Sequence, residues 1–249
     1  AHREAWNVVD EVAEKFQDRF VQDAELLYRL AESKLKQGKG DDAKRVAAQA
    51  LALDADSCQR HKEVAFRLAD LGLFDWCTAE YEKALAIGPT NSLHELHTRF
   101  MFSEMLHDQQ KSLEAAKVLQ VAVNAMDEKA DVLELVQRMG REPNSIRSRM
   151  HFFYSFDLTK KGDREKAIDH IEKATSADAT DADALIARYR VKNAPPQWHE
   201  QTVRMIKEAA RDFRRQGQDL ERQLEIDLDQ PQREETERAA AMQFNQFAW

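Results

Sequence analysis

The chain has 249 residues, a formal net charge of −8, and only 7 Gly and 5 Pro. Hydrophobic residues make up 43% of it, which is enough for a buried core, and charged residues make up 33%. The acidic balance argues against a primary role in nucleic-acid binding, because phosphate recognition needs a basic face. No apolar run approaches the roughly 20 residues of a membrane span. The scarcity of Gly and Pro favours helices along the whole chain.

The first 23 residues predict a capping helix. Apolar side chains recur at helical spacing between Trp6 and Phe16. A terminal helix of this kind covers the otherwise open end of a row of stacked helices.

Two similar segments follow, at 24–57 and 58–91, and each predicts two antiparallel helices joined by a Gly-containing turn. In the second segment, small residues fall where the two helices approach closely, bulky residues fill the seam, and Gly and Pro punctuate the ends: Ala65, Cys77 and Ala84; Val64, Leu68 and Tyr81; Gly72 and Pro89. The Gly38-Lys39-Gly40 turn of the first segment lacks the third glycine and the preceding strand of a phosphate-binding loop. We therefore interpret it as a turn only.

Two further pairs are predicted at 92–127 and 148–181, separated by an insertion at 128–147. The earlier pair is irregular, because its turn is about four residues longer than the 34-residue pattern allows. The insertion carries an apolar cluster between Val132 and Met139, which predicts one additional helix followed by a turn. The later pair is regular.

A weaker fifth pair is predicted at 183–215, where Pro195 and Pro196 shorten the first helix. Residues 216–231 form a charged connector, which we interpret as an extension of the preceding helix. Segment 232–249 places Phe244, Phe247 and Trp249 on one apolar face. We expect it to be the first helix of a further repeat whose remainder lies outside this segment.

This pattern resembles that of the tetratricopeptide-repeat family, W-x2-L-G-x2-Y…A-x3-F…P, and matches it best at 24–57, 58–91 and 148–181. The resemblance implies an all-α fold, a right-handed superhelical α-solenoid of helix–turn–helix repeats with an inserted extra helix. It also implies a protein–protein interaction scaffold. The alternative is a ligand-responsive regulatory module of a larger protein whose catalytic or signalling domain lies outside this segment.

In this family the first helices line a concave groove that holds a peptide or a partner protein. The equivalent positions here predict a partner-binding face of aromatic and cationic residues: Tyr28, Lys62, Phe66, Phe100, Arg149, Phe152 and Phe156. Aromatic rings supply contact area, and the cations suit an acidic or carboxylate-bearing ligand. The competing interpretation is that some of these rings are core and that the cations are solvated rim charges. We expect at least two of the rings to be accessible.

One partner class is disfavoured by residue type. Related repeats that bind the carboxyl terminus of heat-shock chaperones carry Lys and Asn at the fifth and ninth positions of one repeat. Here those positions hold Tyr28 and Glu32 in the first pair, and Lys62 and Phe66 in the second.

No catalytic constellation is predicted, and we expect neither enzymatic activity nor a bound cofactor or metal. His94 and His97 lack a third ligand and the His-x3-His spacing of zinc-protease helices, so we interpret them as part of a polar helix face. Cys58 and Cys77 predict neither a disulfide framework nor a zinc site. A basic stripe on the second helix of the fifth pair is interpreted as a solvated face, with an acidic partner as the alternative: Arg204, Lys207, Arg211, Arg214 and Arg215.

Overall fold

A computed structural model describes residues 6–224 and 230–247 of the chain. Over these residues it contains fourteen α-helices and no strand. The helices are α1 (Trp6–Lys15), α2 (Gln17–Phe20), α3 (Ala24–Lys36), α4 (Gly40–Ala52), α5 (Cys58–Asp70), α6 (Phe74–Ile87), α7 (Leu93–Asp108), α8 (Ser112–Glu128), α9 (Ala130–Arg138), α10 (Pro143–Lys161), α11 (Arg164–Ala177), α12 (Ala182–Tyr189), α13 (Pro196–Leu224) and α14 (Gln230–Phe247). The predicted all-α fold is therefore confirmed over the described residues.

The chain divides into two compact units, Ala1–Met105 and Leu106–Trp249, and the boundary between them falls within α7. Sequence reasoning predicts no such boundary there, since it places 92–127 in one repeat.

In the first unit, α3 packs against α4 and α5 packs against α6, and a short turn joins the helices of each pair. The small positions of the predicted pattern, Ala65, Cys77 and Ala84, are all buried at the seam. At Gly88, which follows α6, an added Cβ atom would lie 2.9 Å from the carbonyl oxygen of Ala84 in the last turn of the same helix and 3.4 Å from Cβ of Cys58 on α5. The tetratricopeptide-like helix pairing is confirmed here.

Helix α1 packs on α3 through polar contacts. The hydroxyl of Ser33 donates a hydrogen bond to the carbonyl oxygen of Trp6 at 2.7 Å. Asp10 on α1 forms an ion pair with Lys34 at 2.9 Å and accepts a hydrogen bond from Gln37 at 3.0 Å. One face of α3 is thus covered by the amino-terminal helix.

In the second unit, α10 packs against both α8 and α11, and α9 is the additional helix that the insertion predicts. Helix α10 begins at Pro143, ahead of the predicted repeat start, because proline is well tolerated in the first turn of a helix. It ends where Gly162 adopts a left-handed conformation with φ of 78°.

The carboxyl-terminal part of the second unit is built on α13, a continuous helix of 29 residues. Leu185 of α12 packs with Ala209 and Phe213 on one face of α13, and α14 also packs against α13. The predicted apolar face of the last segment falls on Trp249 and on the side chains of Phe244 and Phe247, which lie outside what the structure describes. No helix in the described part of the chain is long and apolar enough to cross a membrane.

Candidate functional site

In the first unit, two of the predicted partner-binding rings are core residues. Tyr28 is 1% exposed, and its hydroxyl donates a 2.6 Å hydrogen bond to Glu80. Phe100 is also buried. For these two rings the competing interpretation, that they are core residues, is the one that holds, and Tyr28 is covered by Glu80 and Trp76 of α6.

Phe66 and Lys62, one turn apart on α5, remain at the surface of the first unit. Phe66 is 50% exposed, and Lys62 is partly buried. Desolvation lowers the pKa of the Lys62 ammonium group, and the nearby Glu63 carboxylate opposes that change. Partner binding by this pair stays a prediction.

The three predicted residues of the second unit lie together but differ in exposure. Phe152 is buried, which contradicts its predicted accessibility, whereas Phe156 is 38% exposed. The guanidinium of Arg149 pairs with Asp183 at 2.6 Å and lies 5.2 Å from the centre of the Phe152 ring. Arg149 therefore already has an acidic partner within the unit, and its binding role stays a prediction.

Phe152 and Phe156 line an apolar cleft of about 600 Å³ between α10, α11 and α12, here called the α10–α12 cleft. Its apolar lining comes from all three helices and from the loop after α12: Phe152, Phe156, Ala167, Ile168, Ile171, Ile186, Ala187 and Val191. Its polar lining is His107, Ser155, Thr159, Arg164, Asp183, Arg190 and Lys192, together with the backbone of Gly162. Such a concave, mostly apolar opening with a few polar groups has the composition of a ligand site.

Helix α12, which forms one wall of the cleft, makes side-chain contacts at both of its ends. Asp181 caps its first turn by accepting a hydrogen bond from the backbone of Ala184 at 3.0 Å. At the other end, the buried Arg188 guanidinium lies 3.7 Å from the centre of the Trp198 ring and donates to the hydroxyl of Thr202 at 3.2 Å. The indole of Trp198 in turn donates to the carbonyl oxygen of Arg188 at 2.9 Å.

Positive charge predominates at the opening of the cleft. The one acidic side chain that lines it, Asp183, is paired with Arg149. Arg164 donates hydrogen bonds to the carbonyl oxygens of Lys192 and Asn193, at 2.6 and 3.2 Å, and so fixes the loop after α12. Arg190 and Lys192 are exposed, and neither has an acidic partner among the described residues. The opening is therefore cationic although the chain as a whole is acidic.

A second hollow, of about 500 Å³, lies on the other side of α12, and we call it the α12–α13 groove. Its lining consists of Ile186, Tyr189, Arg190, Val203, Ile206 and Lys207. Sequence reasoning predicts neither hollow, although it places Lys207 in the basic stripe. No periodic pattern in the sequence indicates either hollow.

No group of three or more His, Cys, Asp or Glu side chains able to hold a metal occurs among residues 6–224 and 230–247. Cys58 and Cys77 are free thiols, and burial raises the pKa of Cys77 to about 12. His151 and His170 place their Nδ1 atoms 3.0 Å apart, and burial lowers the pKa of His151 to about 4.

No protein-family model and no curated protein matches this chain. Among solved structures, it is similar to MamA 41-end from Desulfovibrio magneticus RS-1, with 15% identity and a TM-score of 0.43 over 78% of this chain and 96% of that one. It is also similar to YrrB, described as a TPR protein with an unusual peptide-binding site, with 18% identity and a TM-score of 0.39 over 82% of this chain and 92% of that one. At these values neither similarity assigns a site or an activity to this chain.

Proposed function

We propose that this chain is a protein-interaction module, and that its α10–α12 cleft receives an apolar side chain of a peptide or partner protein. The observation that supports this most directly is the cleft itself, which is concave, apolar and open to solvent. Phe156, at 38% exposure, contributes to its rim. Burying a large apolar side chain there would contribute roughly 1.5–3 kcal/mol.

The predicted residues take different roles in this proposal. Phe156 contacts the ligand directly, and Lys160, whose ammonium lies 5.0 Å from the centre of that ring, holds positive charge beside it. Arg149 acts through its ion pair with Asp183, which fixes a carboxylate at the cleft wall. Lys62 and Phe66 are an additional contact region on the first unit.

Blocking the cleft tests the proposal. Ala187 lines it, so Ala187→Trp should fill part of the opening without changing charge. Wild-type protein and the variant are each used to select from a displayed library of random peptides. We expect the wild type to enrich a set of peptides and Ala187→Trp to lose them by at least about tenfold, since anchor contacts are commonly worth 2 kcal/mol or more.

The matched control is Ala52→Trp, the same substitution at an exposed position of the first unit. It should enrich the same peptides as the wild type. Circular dichroism melting checks that both variants fold. A second blocking variant, Ile168→Asp, places a charge in the cleft wall. If folded blocking variants retain the wild-type peptides, or if wild type enriches none, the cleft is not the binding site.

A further inference from the structure

Helix α12 forms a ridge between the two hollows of the second unit. Ile186 of α12 and Arg190, the residue that follows the last turn of α12, line both the α10–α12 cleft and the α12–α13 groove. Ala187 lies on the cleft side of this ridge, and Tyr189, which is 53% exposed, lies on the groove side. A ligand that crosses the ridge meets an apolar hollow on each side and a cation between them.

The charged residues around the ridge determine whether an acidic or a basic ligand is favoured. Arg190 lies on the ridge, Lys192 borders the cleft and Lys207 borders the groove. None of the three has an acidic partner in the part of the chain that the structure describes. Glu200 and Glu208 are also on α13, but neither lines either hollow. The surface is therefore complementary to an acidic, partly apolar segment.

We infer that the α12 ridge binds an extended acidic peptide segment, which places one apolar side chain in the cleft and a second in the groove, with a carboxylate against Arg190. This inference rests on the proposed function and specifies its ligand. It also assigns Lys207, interpreted from the sequence as part of a solvated face, a role in attracting the acidic ligand.

The width of the ridge sets the spacing of the two apolar side chains. A helix with its side chains is about 10–12 Å across, and an extended chain advances about 3.3 Å per residue. Four residues therefore span about 13 Å, and in an extended chain the first, third and fifth side chains point to the same side. The recognised pattern is apolar–x–acidic–x–apolar, with the acidic residue above Arg190.

The probe is a fluorescently labelled synthetic peptide with the central sequence Leu-Ser-Glu-Ser-Leu, and the measurement is its anisotropy on titration with the full chain. Replacing the central Glu by Gln should weaken binding to wild type by about tenfold, the loss of one charge-assisted contact. Arg190→Gln should bind both peptides equally weakly. The control Arg211→Gln removes the same charge from an exposed position of α13 outside both hollows and should keep the tenfold preference.

Two further peptides test the anchors. With Ala in place of the second Leu, binding should weaken for wild type, whereas Val203→Trp, which fills the groove, should bind both peptides alike. With the two Leu residues three apart instead of four, binding should also weaken, because an extended chain then points them to opposite sides. Stronger binding of this peptide would indicate a helical ligand and overturn the inference.

The outcomes separate this inference from the proposed function. If the Leu-Ser-Glu-Ser-Leu peptide shows no binding up to about 1 mM, or binds with no dependence on Arg190 and Val203, the ridge inference is wrong. The cleft proposal would still stand if Ala187→Trp abolishes the peptides selected from the library. If Ala187→Trp changes nothing while Arg190→Gln and Val203→Trp weaken binding, the cleft proposal fails and the groove alone is the site.

Discussion

Replacing Glu80 tests whether one buried carboxylate ties together three helices of the first unit. Glu80 on α6 is fully buried, accepts a hydrogen bond from the hydroxyl of Tyr28 on α3 at 2.6 Å, and lies 2.5 Å from Nδ1 of His61 on α5. Glu80→Ala leaves both of these buried groups without a partner. Each unsatisfied buried group costs about 1–3 kcal/mol. We therefore expect Glu80→Ala to lower the free energy of unfolding by about 3–5 kcal/mol, the range for breaking a buried pair.

A second variant separates the hydrogen bonds from the charge. Burial raises the pKa of Glu80, and the hydrogen bonds from Tyr28 and His61 oppose that rise. Glu80→Gln keeps the shape of the side chain. Its amide has one acceptor and one donor, so it accepts a hydrogen bond from one partner and must donate to the other. We therefore expect Glu80→Gln to lose only about 1–2 kcal/mol.

The free energy of unfolding is measured by urea titration at pH 7, followed by circular dichroism. The control is Glu82→Ala, which removes an exposed carboxylate from the same helix and should change stability by less than about 0.5 kcal/mol. If Glu80→Ala is as stable as Glu82→Ala, the buried contacts do not stabilise the first unit and the reasoning is refuted.

Two further predictions concern the burial of aromatic rings and the titration of His151. Phe153 is 0% exposed, so Phe153→Ala should lower the free energy of unfolding by about 3–5 kcal/mol. Phe66→Ala should lower it by less than about 1 kcal/mol in the same urea titration. Equal losses would mean that Phe66 is a core ring. Burial, and then the neighbouring His170, lowers the pKa of His151 to about 4, so between pH 6.5 and 4 the unfolded chain binds more protons and stability falls as the pH falls. Compared with His151→Gln, the wild type should therefore lose about 2 kcal/mol more between pH 7 and 5, and parallel pH profiles would contradict this assignment.

The helix pairs are predictable from the sequence because their packing imposes local rules. Two antiparallel helices that touch along their length require small residues at fixed spacing, and Ala65, Cys77 and Ala84 meet that requirement within one segment. Helix starts are less predictable. The predicted repeat begins at residue 148, but α10 begins at Pro143 and so includes the last residues of the predicted insertion.

The candidate site is less predictable because burial depends on distant partners. Tyr28 resembles an exposed groove residue by its position, yet it is buried by contacts with Glu80 and Trp76, far along the chain. Phe152 likewise contacts His107 edge to face, with the ring centres 5.3 Å apart. The two hollows depend on the length of α12 and on the path of the loop that follows it, and no periodic pattern encodes either.

For the proposed ligand, the loop between α12 and α13 would affect the rate of binding as well as the affinity. Asn193 holds a positive φ of 53°, Pro195 has a fixed φ, and Arg164 and Trp198 hold the loop and the end of α12 by hydrogen bonds. Fixing the backbone of a flexible segment costs about 1–2 kcal/mol per residue in conformational entropy. In this loop the backbone is already fixed in the folded chain, so binding does not add that cost. An arriving segment therefore finds Arg190 and Lys192 on a backbone already in place. Under the proposed function, the association rate of this segment would be set by diffusion and charge attraction, with no additional step in which the loop becomes ordered.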